Sequence, residues 1–203
     1  MELGQGLLRK EYAMITGGFY YGGSRAAQHN DVRIPFEELI DKIRPSQVIE
    51  LGTCDGGLTI LLRDIMDKFV PKSELLTIDC NECKIRDPRI TYRVMGFWDG
   101  NEMCQEIVDF VQRPGLTLVL VDGGDKPREF QKLAPHIKPN DVIMAHDYAL
   151  DKDYFELYIN GVIWNWHEIQ ESDIAEVSKS CSLVPLMAEE FQRVVWVCKQ
   201  RVV

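Results

Sequence analysis

The sequence predicts an α/β fold: a doubly wound sheet, mostly parallel, that ends in a C-terminal antiparallel hairpin. From residue 47 to residue 180, apolar runs of strand length alternate with helical patterns, which is typical of parallel strands joined by helices. The apolar run over 116–121 is continuous, as expected for a strand that is buried on both faces. Residues 183–187 and 193–198 flank a turn at 189–190 and predict the closing hairpin.

Composition indicates a globular protein and excludes some partners. The chain has 203 residues, with 23 Lys and Arg against 32 Asp and Glu, which gives a net charge of -9. This length fits one domain, so we expect a single domain over residues 1–203. An acidic protein attracts a phosphate backbone poorly, and we expect no nucleic-acid partner. Because no apolar stretch has membrane-spanning length and Met1 to Lys10 lacks signal-peptide features, we expect a cytoplasmic protein with no membrane partner.

The first 45 residues predict an arm, a loop and a helix that leads into the sheet. Residues 1–12 fit a short helix or a frayed arm. Residues 16–24 interleave glycines with three aromatic rings, which predicts a flexible loop instead of a helix or a central strand. The rings either cover the edge of the core or form a lid over the active site. Residues 35–43 predict a helix with proline in its first turn.

A glycine loop follows the first predicted strand of the sheet. Residues 48–51 form the strand, glycines stand at 52, 56 and 57, and a helical pattern then extends to about Phe69. A dinucleotide fingerprint requires glycine at the position of Cys54, so the loop argues against NAD. The pattern resembles motif I of class I methyltransferases that depend on S-adenosylmethionine (SAM). A tight turn that binds no ligand has similar glycines.

The next two strands supply further candidate ligand contacts. The strand over 74–79 ends in Asp79, and in Rossmann-like sheets an acid at this point accepts hydrogen bonds from ribose hydroxyls. A helix cap or a solvated turn residue is the alternative. The strand over 90–95 leads into Gly96, Phe97 and Trp98, whose rings either flank a purine or belong to the core. Residues 101–113 predict a helix.

Two later strands bring polar side chains to the same edge of the sheet. The strand over 116–122 ends in Asp122, and the strand over 141–145 is followed by His146 and Asp147. Because ligands in open α/β sheets bind at the carboxyl ends of strands, we expect these groups to converge there. Two carboxylates and an imidazole form a candidate site for Mg²⁺ or another divalent cation. A hydrogen-bonded cluster without a metal fits the same pattern.

The remaining segments predict two helices and a pocket loop. Residues 126–136 and 172–180 have helical patterns. The stretch 148–170 between them is polar and aromatic, and it predicts an inserted loop that shapes a substrate pocket. A surface excursion anchored by its rings is the alternative.

Residues 19–150 resemble a known family through a series of short motifs. These motifs are Phe19-Tyr20-Tyr21-Gly22, Gln28, Asp31, Phe36-Glu37-Glu38-Leu39-Ile40, Arg44-Pro45, the glycine loop, Thr77-Ile78-Asp79, Val121-Asp122-Gly123 and His146-Asp147. The pattern resembles the cephalosporin hydroxylase-like family, whose members have the class I methyltransferase fold. The resemblance implies a Rossmann-like sheet, SAM as the cofactor and a metal held after the fourth and fifth strands.

The same resemblance implies roles for individual residues. The implied metal ligands are Asp122, His146 and Asp147, with His146 standing where the family usually has an acid. In the related catechol-type enzymes a lysine soon after this aspartate is the base, so the implied catalytic residues are Lys126, Asp122 and His146. The implied cofactor contacts are Glu50, Gly52, Thr53, Asp55, Gly56, Asp79, Cys80, Gly96, Phe97, Trp98 and Asp122.

The resemblance implies O-methylation of a small molecule. The acceptor would be the hydroxyl of a sugar, a phenol or a natural product, and a divalent cation would lower the pKa of that hydroxyl while a base takes its proton. The alternatives are a non-catalytic SAM-binding protein and an NAD-binding Rossmann-like protein. A homodimer is the expected oligomer, because dimers are the commonest homo-oligomers.

Overall fold

The computed structural model describes residues 17–203, so the arm predicted over 1–12 lies outside the described residues. Its strands are β1 (Gly17–Tyr21), β2 (Ser24–His29), β3 (Gln47–Leu51), β4 (Glu74–Asp79), β5 (Ile90–Val94), β6 (Trp98–Asp99), β7 (Glu102–Met103), β8 (Thr117–Val121), β9 (Val142–Ala145), β10 (Tyr148–Ala149), β11 (Ile169–Gln170), β12 (Leu183–Pro185) and β13 (Val197–Arg201). Its helices are α1 (Arg33–Ile43), α2 (Gly57–Phe69), α3 (Gln105–Val111), α4 (Lys126–Leu133), α5 (Lys152–Tyr154), α6 (Glu171–Ser180) and α7 (Ala188–Gln192). No helix within the described residues is both long and apolar enough to cross a membrane.

Seven strands form the central sheet in the order β12-β13-β9-β8-β3-β4-β5. Strands β9, β8, β3, β4 and β5 are parallel, and β13 is antiparallel to both of its neighbours. The order reverses between β3 and β8, and ligands of open α/β sheets bind at such a reversal. The predicted fold class, a doubly wound and mostly parallel sheet with a C-terminal antiparallel hairpin, is confirmed.

Helices cover both faces of the sheet and bury it. Every residue of β3 and of β8 is buried, which explains why both strands are apolar without alternation. Val48 and Leu118 pack into the cluster that includes residues of α1 and α2. Their neighbours Ile49 and Val119 pack into the cluster on the other face, with residues of α3, α4 and α6. This arrangement holds the carboxyl ends of β3 and β8 in fixed positions.

The prediction of a flexible loop over 16–24 is wrong for residues 17–24, which belong to the β1–β2 hairpin. Gly22 and Gly23 have φ angles of 56° and 83°, and two consecutive positive φ angles make the tight turn that suits a hairpin. Phe19 and Tyr21 pack against the core, while Tyr20 is exposed. Two of the three rings therefore cover the edge of the core.

Two other predicted elements have different bounds in the structure. The helix predicted over 101–113 is shorter, because residues 98–103 form the small β6–β7 hairpin and α3 begins only at Gln105. In the closing hairpin the second strand lies at Val197–Arg201 and not at 193–198. The predicted turn at 189–190 belongs to α7, so the chain needs more residues to return to β13.

The stretch 148–170 leaves the sheet and returns to it. It begins with β10 and ends with β11, which pair with each other in parallel. Between these strands lie α5 and a π-helical turn, Phe155–Ile159. Trp164 is buried within this stretch, whereas Trp166 is 44% exposed. We name residues 148–170 the excursion.

Candidate active site

The glycine loop packs against the end of β8. Gly52 follows β3 with a φ of 96°, and a Cβ at this position would overlap the backbone carbonyl of Asp122. The Asp122 N–H donates to the carbonyl of Leu51, and the Gly52 N–H donates to the carbonyl of Ile78. Gly52 thus brings the ends of β3, β4 and β8 together, which places Asp122 beside the loop.

Glu50 lies beneath the loop, where it holds neighbouring elements together. One carboxylate oxygen accepts hydrogen bonds from the hydroxyls of Thr59, at 2.5 Å, and Thr77, at 2.6 Å. The hydroxyl of Thr53 lies 2.6 Å from that of Thr77, which extends the network to the loop. The other Glu50 oxygen is buried without a hydrogen-bond partner among the described residues. Burial raises the pKa of Glu50 from 4.5 to about 8.

Asp79 lies at the end of β4, next to the loop. Its two carboxylate oxygens accept backbone N–H groups, one from Cys54 at 2.9 Å and one from Asn81 at 2.8 Å. Each oxygen keeps a second lone pair that can accept a hydrogen bond from a hydroxyl group. Asp79 therefore supports the local backbone and can still bind a ligand hydroxyl.

The two rings after β5 have different neighbours. Phe97 lies against the turn after β8, since a Cβ on Gly123 would lie 2.5 Å from its ring. Trp98 lies in the β6–β7 hairpin, where the Arg128 guanidinium is 3.8 Å from its ring centroid. Arg128 therefore occupies one face of Trp98, and Phe97 is the ring closer to the sheet's switch point.

The remaining predicted cofactor contacts surround an open edge of the sheet. Asp55 and Cys80 are exposed, and Gly56 precedes α2 with a φ of 85°. A Cβ on Gly96 would meet no atom within 4 Å. Asp79, Phe97 and Asp122 are partly exposed around this edge. That these residues contact one ligand across the carboxyl ends of β3, β4 and β8 stays a prediction.

Asp122, His146 and Asp147 converge at the carboxyl ends of β8 and β9, as the sequence predicts. One ligand atom from each residue lies within 4.8 Å of the other two. His146 Nδ1 is 3.0 Å from Asp122 Oδ1 and 3.7 Å from Asp147 Oδ1. Asp147 adopts a φ of 55°, an uncommon conformation for a residue that is not glycine. We name these three residues the acidic cluster.

The Lys126 ammonium lies among the carboxylates of the acidic cluster. Lys126 is at the start of α4, and its Nζ is 3.0 Å from Asp147 Oδ2 and 3.6 Å from Asp122 Oδ1. It also donates to Glu168 Oε2 at 2.7 Å and to the carbonyl of Gly123 at 3.0 Å. Only 4% of the lysine is exposed. Lys126 thus compensates part of the charge of these carboxylates.

The charges of the site change the pKa values of its groups. Burial alone would lower the pKa of Lys126, but Asp122, Asp147 and Glu168 outweigh burial and raise it above its ordinary value. Burial would also lower the pKa of His146, but the two aspartates raise it. Burial would raise the pKa of Asp147, which His146 and Lys126 hold below its usual range. All these directions favour the charged forms.

The donor set fits a divalent cation. Among the described residues, the three carboxylates of Asp122, Asp147 and Glu168 face the Lys126 ammonium and the His146 imidazole, so the site keeps excess negative charge even when the imidazole is protonated. Carboxylate oxygens suit Mg²⁺ and Mn²⁺, whereas an imidazole nitrogen suits metals such as Zn²⁺ or Fe²⁺. A bound cation would share the carboxylates with Lys126. The nitrogen donor therefore favours a metal that accepts nitrogen as well as oxygen.

Four residues that the sequence does not single out for the site also reach the acidic cluster. The amide of Gln28, on β2, is 2.7 Å from Asp122 Oδ2 and 3.4 Å from His146 Nδ1. The Trp166 indole donates to Asp147 Oδ1 at 3.1 Å, and Glu168 holds Lys126. The Trp196 ring lies 4.8 Å from that of His146. The aromatic composition of 164–168 was the sequence signal that could have pointed to Trp166 and Glu168. Gln28 could have been found through its place in the family motif.

The family assignment follows from a direct comparison. The model of the family described as Rhamnosyl O-methyltransferase/CmcI matches residues 15–151, about two thirds of this chain. The chain belongs to this family. The matched range contains the glycine loop, Asp79, Gln28 and the whole acidic cluster, so the Rhamnosyl O-methyltransferase/CmcI assignment covers most of the candidate site. The resemblance predicted from the motifs is confirmed.

Curated relatives in the Rhamnosyl O-methyltransferase/CmcI family are longer than this chain. Rhamnosyl O-methyltransferases of Mycobacterium bovis (strain BCG / Pasteur 1173P2) and Mycobacterium tuberculosis (strain ATCC 25618 / H37Rv) are 26% identical over 122 residues. The match covers 55% of this chain and 49% of each relative. The chain therefore spans about half the length of the curated relatives it matches.

Solved structures of CmcI have the same fold as this chain. CmcI with SAH aligns with a TM-score of 0.62 at 16% identity, covering 91% of this chain and 83% of CmcI. CmcI with Mg and SAM aligns with a TM-score of 0.61 at 15% identity, covering 90% and 76%. Human N-acetylserotonin methyltransferase in complex with SAM aligns at 0.53 and 12% identity, covering 84% and 52%. These likenesses establish the class I methyltransferase fold.

Proposed function

We propose that this chain is a SAM-dependent O-methyltransferase that transfers a methyl group to a hydroxyl of a small molecule, assisted by a divalent cation. One observation carries the proposal: the acidic cluster of Asp122, His146 and Asp147 lies at the carboxyl edge of the sheet, directly beside the glycine loop. Family membership supports it, because the family is described by O-methyltransfer. The curated relatives are named for methylation of a rhamnosyl group.

The glycine loop and the ends of β4 and β5 would hold SAM. We assign Gly52, Thr53 and Gly56 to its methionine end, Asp79 to the ribose hydroxyls and Phe97 to one face of the adenine. Asp55, Cys80, Gly96 and Trp98 would line the same edge. Glu50 is buried beneath the loop, so we assign it to holding the loop and not to direct contact with the cofactor.

Asp122 and Asp147 would hold the cation through carboxylate oxygens, and His146 would bind it through a ring nitrogen after releasing a proton to solvent. When bound, SAM would supply the methyl group and leave as S-adenosylhomocysteine, and the cation would lower the pKa of the acceptor hydroxyl so that its proton can pass to solvent. His146 is 3% exposed, and Trp164 and Trp196 flank its ring at 5.4 Å and 4.8 Å between centroids. These rings exclude water from one side of the cluster and so strengthen its electrostatic interactions.

The position of Lys126 favours an electrostatic role over the base role that the catechol-type enzymes imply. A lysine that acts as a base must lose its proton, and burial with few anions nearby promotes that loss. Lys126 instead contacts three carboxylates, which stabilise its ammonium. We therefore propose that Lys126 keeps its proton at Nζ and fixes the orientation of Asp147.

The excursion would contribute to the acceptor pocket. Trp166 donates to Asp147, yet its ring is 44% exposed, so an apolar surface lies directly beside the cluster. A sugar, a phenol or another natural product with a hydroxyl suits this combination of ring and carboxylates. A single domain over 1–203, a cytoplasmic location and a homodimer remain predictions.

Calorimetry with SAM and S-adenosylhomocysteine tests the proposal, first with Mn²⁺ or Mg²⁺ and then with a chelator. We expect micromolar binding of SAM, no binding of NADH, and a separate metal-binding heat that an Asp122→Asn variant loses. Rhamnosides and catechols with labelled SAM then test methyl transfer. Absence of SAM binding under every condition would rule the proposal out.

The position of Lys126 also favours a second candidate, a SAM-binding protein that uses no metal. Its ammonium already compensates part of the cluster's charge. This candidate predicts SAM binding that is the same with metal and with chelator, and no metal-binding heat. The chelator arm of the calorimetry therefore separates the two functions.

A further inference from the structure

The Gln28 side chain joins the β1–β2 hairpin to the acidic cluster. Gln28 is 2% exposed and lies near the end of β2, 94 residues before Asp122 in sequence. Its Nε2 lies 2.7 Å from Asp122 Oδ2, and its Oε1 accepts a hydrogen bond from the Trp196 indole at 2.8 Å. A buried amide with partners at both ends is held in one orientation.

The Trp196 indole fixes which end of the amide faces Asp122. An indole N–H is a donor and cannot accept, so the atom opposite it must be the Gln28 oxygen. The Gln28 nitrogen then faces Asp122, whose carboxylate accepts a hydrogen bond from it. The amide orientation follows from hydrogen-bond chemistry even though amide oxygen and nitrogen are hard to distinguish by shape. Trp196 is itself fully buried and packs edge-on against Phe36 at 5.5 Å.

The contact from Gln28 determines how Asp122 presents its two oxygens. Oδ2 is engaged by Gln28, which leaves Oδ1 facing His146 at 3.0 Å and Lys126 at 3.6 Å. If the amide were absent, the carboxylate plane would be held through Oδ1 alone, and the partly buried Oδ2 would have no donor among the described residues. Carboxylates that bind metals are held in this way by outer hydrogen bonds.

The hairpin that carries Gln28 is seated on α2 by close backbone contact. A Cβ on Gly57, the first residue of α2, would overlap the backbone of Arg25 and Ala26. The Tyr21 hydroxyl also donates to Asp64 on α2 at 2.9 Å. The position of Gln28 is therefore tied to the helix that follows the glycine loop.

We propose that Gln28 is a positioning residue that orients the Asp122 carboxylate for cation binding, with Trp196 fixing its amide. The inference rests on the proposed function insofar as that function includes a cation at Asp122. It adds that the β1–β2 hairpin is part of the site, and that the cation affinity of Asp122 depends on a buried residue outside the acidic cluster.

Mn²⁺ binding, followed by electron paramagnetic resonance on the full chain, tests the inference without relying on activity. The variant Gln28→Leu removes the amide at similar volume. Tyr21→Phe is the matched control, because it removes a hydrogen bond of the same hairpin that does not reach Asp122. We expect Gln28→Leu to raise the Kd for Mn²⁺ about tenfold or more, and Tyr21→Phe to change it less than about twofold.

A second pair of variants keeps the test decisive if Gln28→Leu folds poorly. Gln28→Leu leaves the Trp196 N–H unpaired, whereas the double variant Gln28→Leu/Trp196→Phe removes both partners and leaves no unpaired indole N–H. The difference between the double variant and Trp196→Phe alone measures the effect of losing Gln28. We expect the double variant to bind Mn²⁺ more weakly than Trp196→Phe by the same factor.

Three results would overturn the inference. The first is a Kd for Mn²⁺ that differs less than about twofold both between Gln28→Leu and the unaltered chain and between the double variant and Trp196→Phe. The second is a loss of Mn²⁺ affinity in Tyr21→Phe as large as that in Gln28→Leu. The third is no Mn²⁺ binding by the unaltered chain. Failure of the proposed function is seen separately, as absence of SAM binding in calorimetry. A chain that binds Mn²⁺ through Gln28-oriented Asp122 but does not bind SAM would keep this inference and lose the function.

Discussion

Lys126 Nζ lies 3.0 Å from Asp147 Oδ2 in an interior where the lysine is 4% exposed. Removing one partner of a buried ion pair leaves the other charge uncompensated, and this typically costs about 3–5 kcal/mol. We therefore expect Lys126→Met to lower the free energy of unfolding by about that amount, measured by urea denaturation. Mn²⁺ should restore part of the loss, because it supplies positive charge to the same carboxylates.

The control for this prediction is Lys132→Met. Lys132 pairs with Glu102 on the surface, and exposed pairs contribute little to stability. We expect no measurable change in the urea midpoint for this variant. Equal stability of Lys126→Met and the unaltered chain would show that the acidic cluster needs no internal cation.

The raised pKa of Glu50 predicts that the free energy of unfolding depends on pH. Its pKa is about 8 in the folded chain against an ordinary 4.5, so the folded state binds the proton more tightly. The stability from this proton is complete below about pH 4.5 and is lost as the pH rises through about 8, with a slope of up to about 1.4 kcal/mol per pH unit. Glu50→Gln should remove this slope in urea denaturation between pH 5 and 9. A slope that is unchanged in Glu50→Gln would assign the pH dependence to other groups.

Gly52 should tolerate no side chain. Its φ of 96° disfavours other residues, and a Cβ would overlap the Asp122 carbonyl, so Gly52→Ala is expected to cost about 2–4 kcal/mol. Thermal unfolding measures the loss. Gly124→Ala is the control, since a Cβ there meets no atom within 4 Å, and its unfolding should be nearly unchanged. A Gly52→Ala chain as stable as the control would contradict the close packing of the two loops.

Asp79 should determine the affinity for SAM. We expect Asp79→Asn to raise the Kd for SAM at least about tenfold, because a charge-assisted hydrogen bond to the ribose becomes a neutral one. Glu82→Gln removes the same charge three residues further along and should leave the Kd unchanged. Calorimetry measures both. Matching affinities for the two variants would leave Asp79 with its backbone contacts to Cys54 and Asn81 as its sole role.

The Trp166 indole should affect the affinity for Mn²⁺ more than the stability of the fold. Trp166→Phe keeps a ring that can stack on Trp164 but removes the indole N–H that donates to Asp147. We expect weaker Mn²⁺ binding, by roughly tenfold, with little change in thermal unfolding. Tyr158→Phe removes a hydroxyl from the same excursion and is the control. If both variants bind Mn²⁺ like the unaltered chain, the indole contact does not orient Asp147.

The sheet was predictable because its signals are local. Runs such as 116–121 are apolar throughout since both faces of the strand are buried, and glycines after the first strand mark the turn into α2. The β1–β2 hairpin was missed because glycine normally weakens strands, whereas here Gly22 and Gly23 form the turn. The late start of α3 was missed because the short β6–β7 hairpin depends on pairing that sequence periodicity does not show.

The acidic cluster was predictable in part for a geometric reason. Parallel strands end at one edge, so Asp122 and His146-Asp147 had to be near each other once their strands were recognised. The partners of these groups come from far away in the chain: Gln28 is 94 residues from Asp122, and Glu168 is 42 from Lys126. No periodicity or spacing links such pairs, so the roles of Gln28 and Glu168 required coordinates.

The contact between Gln28 and Trp196 has a consequence for biosynthesis. The two residues are 168 positions apart, and a ribosome adding about 5–20 residues per second needs roughly 8–34 seconds to make that interval. During this time the hairpin exists while its indole partner does not. Contacts of such long range form late, because closing a long loop is entropically costly. The nascent chain therefore completes the candidate cation site only after the strand that follows Trp196 has joined the sheet.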